Sequence, residues 1–181
     1  NPMVRRLGFW DAAEMLIEPP VMGEEEFGPV GQKKELAAPA GTWRPITPDG
    51  IGAVRDMILR EAMAQSDGLG WLYLAGKVSA DLTRLQPFEG QFEDGHLKVY
   101  TLNEELFRPW LELENLTQLV GEPEDLEEHE VVLFFSKHCA YGLVARRQQG
   151  DRWLGYHTSD WVTVSELMDK LQLTYRLQKG M

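Results

Sequence analysis

His138 and Cys139 stand side by side in FFSKHCAYGLVAR, and His157-Thr158-Ser159-Asp160 follows at the end of RWLGYHT. These are the residue types of a Cys–His nucleophile: a thiolate beside an imidazole, with a carboxylate to orient the ring. Neighbours in an extended chain point to opposite faces, so His138 does not partner Cys139. His157, reached across adjacent strands and oriented by Asp160, is the partner that fits. The competing account makes Cys139 a small buried apolar residue, the usual role of a free cysteine. The corner from His157 to Asp160 also has two uses. Hydroxyls and an imidazole at a helix N-terminus can hold an anion or polar ligand, or the same residues can simply cap the helix. Tyr141, Trp153 and Tyr156, with Trp71, Tyr73, Tyr100, Trp110 and Trp161, can wall a planar ligand or fill a core.

Other chemistries lack their residues. GxxxxGK[ST] does not occur, and no GxGxxG follows a strand, so a phosphate cradle is not expected. GxSxG is missing too. HxH, HxxxH and CxxC patterns are lacking, so no metal site and no cofactor is expected.

The elements that must position these residues follow from periodicity. VVLFF, CAYGLVAR and RWLGYHT read as three consecutive strands, the first a continuous apolar run as in a doubly covered strand. Arg147 to Asp151 is a hairpin turn. WVTVSELMDKLQLTYRL predicts a helix over 161–177 with Val164, Leu167, Met168 and Leu171 on its apolar face. Upstream, Thr47-Pro48-Asp49-Gly50 opens a helix over 51–66. Val54, Met57, Ile58 and Ala62 form its buried side, and Arg55, Asp56, Arg60 and Glu61 its outer one. LGWLYLAGKV and HLKVYTL are strands. SADLTRLQPF is a short helix broken at Pro87. NEELFRPWLELENLTQLVG is helical, capped by Asn103 and interrupted at Pro109.

The first 46 residues differ: a short helix with Phe9, Ala13 and Leu16 on one side, then a Gly/Pro-rich arm anchored by Phe27, Val30 and Trp43. Asn1-Pro2, ahead of Met3, are set aside as a tag remnant. The expected architecture is α/β: a single domain over 47–181 with a mixed or antiparallel sheet of four or five strands packed by helices, plus an irregular N-terminal arm over 1–46.

A net charge of −11 argues against partners held through phosphates, whether nucleic acid or an anionic membrane surface. One cysteine excludes an internal disulfide and suits a reducing, cytoplasmic setting. Between Glu104 and Glu130 the chain carries ten acids against one base, Arg108. That segment is either a solvated face or, through Glu124, Asp125, Glu127 and Glu128, a surface for a basic partner.

YGLVAR at 141–146, WLGYHTSD at 153–160 and VSELMDKL at 164–171 together resemble the end of the DICT sensory domain. The resemblance spans residues 128–171. Where that family tends to have Phe-Asp after the threonine, this chain has Ser159-Asp160. The resemblance implies an α/β sensory module of bacterial, mainly cyanobacterial, signalling proteins, usually fused to cyclase or kinase output regions. It implies no catalytic residues and no particular ligand. The leading expectation is a non-enzymatic sensory or regulatory module that binds a small ligand or a partner protein, as a monomer or homodimer. Candidate ligand residues are His157, Thr158, Ser159, Asp160, Tyr141, Tyr156 and Trp153. An acidic protein–protein adaptor, and an enzyme built around Cys139, His157 and Asp160, are the alternatives.

Overall fold

The computed structural model describes residues 42–64, 70–84, 97–104, 115–121, 123–150 and 152–175. The short helix around Phe9, the anchors Phe27 and Val30, the breaks at Pro87 and Pro109, and Trp110 lie outside the described residues, as does the side chain of Glu124. In chain order the elements are β1 (Thr42–Ile46), α1 (Pro48–Ala64), β2 (Gly70–Ala75), a 3-10 turn (Leu82–Arg84), β3 (Leu97–Asn103), β4 (Leu116–Val120), α2 (Pro123–Glu128), β5 (His129–Ser136), β6 (Ala140–Arg147), β7 (Trp153–Thr158) and α3 (Trp161–Tyr175).

Among the described residues the strands form one mixed sheet of seven in the order β1-β7-β6-β5-β2-β3-β4. β5, β6 and β7 are the antiparallel meander that three apolar runs separated by turns require. β2 adds antiparallel to β5, then β3 and β4 continue parallel to β2. The sheet therefore has seven strands rather than four or five, and the two extra strands have identifiable causes. β1, TWRPI, lies in the segment assigned to the arm and, among the described residues, pairs only with β7. Its Pro45 is tolerable because an edge strand has one unpaired side. β4, LTQLV, carries Leu116, Leu119 and Val120 at the i, i+3, i+4 spacing of a helix. Pairing with β3 overrides that local pattern, and Asn103 becomes the last residue of β3.

Strand alternation sends the apolar side chains to two cores. On one face Leu72, Leu74, Val99, Val132, Phe134, Leu143 and Ala145 pack beneath Ile51, Ile58 and Leu59 of α1. On the other, Tyr73, Val131, Leu133, Val144 and Tyr156 meet Leu126 of α2 and Val164, Leu167, Met168 and Leu171 of α3. Each such buried aliphatic side chain contributes about 1.5–3 kcal/mol, so the two layers together are what hold the sheet flat against its helices. The apolar face of α3 is the one its spacing predicts.

α1 starts as expected: Thr47 Oγ1 accepts from Gly50 N at 3.1 Å and its carbonyl from Ile51 N at 2.9 Å, with Pro48 at the first helical position. Its buried face is rotated from the expected one. Met57 is exposed and Arg55 is 0 % exposed, on the same stripe as Ile51, Ile58 and Leu59. Spacing arguments assign an arginine to solvent because a buried charge without partners is costly; Arg55 has partners, described below.

Candidate functional site

The corner after β7 is built as a helix cap. Thr158 Oγ1 accepts from Asp160 N at 3.0 Å, which turns the chain. Asp160 Oδ2 accepts from Thr163 N at 2.8 Å and from Thr163 Oγ1 at 2.7 Å, and the Asp160 carbonyl takes the first helical bond from Val164 N at 3.0 Å. Those bonds from Thr163 hold the Asp160 carboxyl below the ordinary aspartate value. Asp160→Ala is expected to lower the melting temperature, and Asp160→Asn to leave it nearly unchanged, since asparagine caps as well as aspartate. Circular dichroism melts of the two variants check this.

The strand pleat divides the remaining candidates. His157 is exposed and stacks on Tyr141, ring centroids 6.3 Å apart, and Trp153 lies on that same α1 side. Tyr156 and Thr158 point to the α3 side, where Tyr156 packs against Trp43 at 5.3 Å. Ser159 is exposed between them. Tyr141, Trp153 and His157 therefore share one face, while Tyr156, Thr158 and the Asp160 cap share the other. The candidate set does not converge on one pocket. The anchor Trp43 does pack on the domain.

Cys139 sits in the β5–β6 hairpin, where Ser136 Oγ accepts from its amide at 3.1 Å. Its side chain packs against the α1-side core. Burial first, and the Glu61 carboxylate second, push the thiol's pKa up, away from the thiolate a nucleophile needs. His157 is registered opposite Leu143, further along β6, and its ring is on Tyr141. Among the described residues no three His, Cys, Asp or Glu side chains are placed to hold a metal ion.

The densest buried chemistry lies elsewhere, at the carboxyl ends of β2 and β3. Glu130 of β5 is 1 % exposed. Its Oε1 accepts from Val78 N at 2.9 Å and its Oε2 from Ser79 N at 2.7 Å, so one carboxylate holds the loop that follows β2. The loop turns at Gly76, with φ +103°. A Cβ there would meet the Glu130 carboxylate and come within 2.6 Å of the His129 carbonyl oxygen. Arg55 completes the arrangement: it donates to the Val78 carbonyl, and its Nε and Nη2 to Asp56 Oδ1 at 2.9 and 2.8 Å. Burial pushes the Glu130 carboxyl up from its ordinary value. The Val78 and Ser79 amides, the Ser79 hydroxyl and the Arg55 charge oppose the rise.

At the surface above, Lys77 Nζ bridges Glu127 of α2 at 2.9 Å and Glu104 at 3.3 Å. Two members of the acidic run are thus already paired within the chain. The Glu130 centre is hard to find from sequence because its members come from α1, the loop after β2, and β5. The one local signal is an acid at the head of an apolar strand, Glu130 before VVLFF.

Aromatic side chains collect on the α3 side of the sheet. Tyr73 stacks on Tyr100 with centroids 4.7 Å apart, and its hydroxyl is bonded by Gln172 Nε2 at 2.6 Å. Burial pushes the Tyr73 phenol up to about 12. Towards the amino end of α3, Trp71, Phe135 and Trp161 form a chain of ring contacts at 6.4 and 4.9 Å. This chain reaches the surface: Trp161 is 41 % and the adjacent Val162 64 % exposed. No described helix is long and apolar enough to cross a membrane.

No family model matches the chain, and no curated protein matches it. A polyphosphate kinase from Porphyromonas gingivalis is similar in structure, with a TM-score of 0.51 at 10 % identity over 77 % of this chain. The chain spans 26 % of that enzyme's length. At such identity the likeness concerns the fold alone.

Proposed function

We propose that this domain is a non-enzymatic sensory or regulatory module of a bacterial signalling system, which acts by binding through the aromatic surface at the start of α3. The observation that carries this reading is the run Trp71–Phe135–Trp161–Val162, half-buried at one end and open to solvent at the other. A contiguous exposed apolar surface backed by rigid strands is what a ligand or partner needs to dock, since large rings offer contact area at little entropic cost. The resemblance of 128–171 to a sensory domain points the same way. The polyphosphate kinase likeness supports the architecture of the module and lends it no activity.

Native mass spectrometry of the purified protein tests the reading. The wild-type chain should retain a small molecule or form a homodimer, and Val162→Asp should release it, because a charge at the exposed end of the apolar surface disfavours burial. Val162 is exposed, so the variant should keep its fold. Bare monomer for both proteins would refute the proposal.

A further inference from the structure

β4 is the last strand on its side of the sheet, and among the described residues none lies beyond it. Its bonds to β3 fix which way its backbone points. The Asn115 carbonyl accepts from Val99 N at 2.8 Å, and Gly121 N donates to the Asn103 carbonyl at 3.0 Å. Successive residues of a strand turn their N–H and C=O groups to alternate sides, so Asn115, Thr117, Leu119 and Gly121 bond towards β3. The N–H and C=O groups of Leu116, Gln118 and Val120 therefore point off the sheet edge. Nothing within the strand blunts that edge. LTQLV has no charge and no proline, and Val120 is 55 % exposed. β1, at the opposite edge, carries both Arg44 and Pro45, residues of the kind that protect an edge strand.

We propose that the outer edge of β4 binds an extended peptide segment with an apolar centre and Lys or Arg at both ends, which joins the sheet as a further strand. Main-chain bonds to Leu116, Gln118 and Val120 supply the attachment, as in other cases of strand addition. Leu116, Leu119 and Val120 offer apolar cross-strand neighbours, which sets the character of the peptide's centre. Charge sets its ends. Glu112 and Glu114 precede the strand, Glu122, Glu124 and Asp125 follow it, and no Lys or Arg occurs between Arg108 and Lys137. The same charges oppose a second copy. Antiparallel pairing of two copies about Gln118 would set Glu114 of one strand against Glu122 of the other, and like charges directly opposite destabilise a pair. A strand with basic ends gains where a second copy loses. This surface is separate from the aromatic one at the start of α3, which lies on a face of the sheet rather than at its edge.

Fluorescence polarisation of the full chain with a labelled peptide, KRVTVTVRK, tests the proposal, with EEVTVTVEE as the control. The basic peptide should bind, its affinity should fall as salt is added, and the acidic peptide should bind at least about tenfold more weakly. No binding of the basic peptide, or equal binding of both, would overturn the proposal. Amide hydrogen exchange read by NMR locates the contact. In the free protein Thr117 and Leu119 should exchange slowly and Leu116, Gln118 and Val120 fast; the peptide should slow those three. If they are slow already in the free chain, another segment of the chain holds the edge. If they slow only at high protein concentration, a second copy does. Either result overturns the proposal. Gln118→Pro removes an outward donor and spares the ladder to β3, so it should abolish binding and keep the fold. Glu114→Lys combined with Glu122→Lys gives a second check: it should reverse the preference between the two peptides, and an unchanged preference would overturn the proposal. Val162→Asp should leave peptide binding as it is; loss of binding there would place the peptide on the aromatic surface instead.

Discussion

Replacing Gly76 by alanine is expected to destabilise the fold by about 2–4 kcal/mol, the sum of an unfavourable backbone conformation and a collision with a buried carboxylate. At φ +103° an L-residue is strained whatever the space around it. Here the space is filled as well, by the Glu130 carboxylate and the His129 carbonyl oxygen. The carboxylate cannot swing aside without giving up the Val78 and Ser79 amides. Gly150 is the control. It also has positive φ, +76°, but nothing lies within 4 Å of its added Cβ. Gly150→Ala should therefore cost only the backbone part, about 1–2 kcal/mol. Urea denaturation of both variants reads the difference. Equal losses would mean that the carboxylate does not fill the space behind Gly76.

Removal of the carboxylate itself should cost more. Glu130→Ala leaves the Val78 and Ser79 amides without their acceptor and takes one of two nearby negative charges from the buried Arg55, which keeps Asp56, and losses of about 3–5 kcal/mol are usual for such a break. Glu130→Gln separates charge from shape and carries a pH signature. Burial raises the folded-state pKa of Glu130 above the ordinary 4.5, so the native state binds this proton more readily than the unfolded chain does. The stabilisation that this linkage supplies is fully present below the unfolded value and is lost as pH rises through the folded one. The stability of wild type relative to Glu130→Gln should therefore fall with rising pH over a window that starts near 4.5 and extends upward. The difference curve from denaturation at several pH values measures it directly. A wild-type advantage that grows with pH in that window would mean that the amides and Arg55 outweigh burial.

Both expectations concern a centre that spacing does not reveal, whereas much of the scaffold is plain in the residues. The meander β5–β6–β7 follows from three apolar runs and two turns, because each strand is built from contacts with its sequence neighbours. The apolar stripe of α3 follows from its period for the same reason. The helical cap at Asp160 is equally local: Thr158, Asp160 and Thr163 lie within one turn.

Elements whose structure depends on distant partners are where local pattern misleads. LTQLV has helical spacing but becomes β4, since β3 offers a ladder of backbone bonds that a short isolated helix cannot match. TWRPI looks irregular because of Pro45, yet the open side of β7 accepts it. Arg55 has the composition of a solvent residue and the position of a core one. Its burial becomes favourable only when Asp56, the Val78 carbonyl and the Glu130 charge meet it in space. The aromatic set was legible as a group, but only the sheet's pleat decided that Tyr141 and Trp153 face α1 while Trp71, Tyr73, Tyr100 and Tyr156 face α3.

By itself, then, the sequence determined the class of the fold, the meander, the last helix with its cap, and the acidic balance of the chain. All of these rest on interactions between residues close in sequence or on composition. The tertiary structure alone decided the seven-stranded order, the division of the corner from His157 to Asp160 between two faces, and the Glu130 centre. The reason is physical: a buried charge is stable only with its partners in place, and those partners come from segments far apart in the chain.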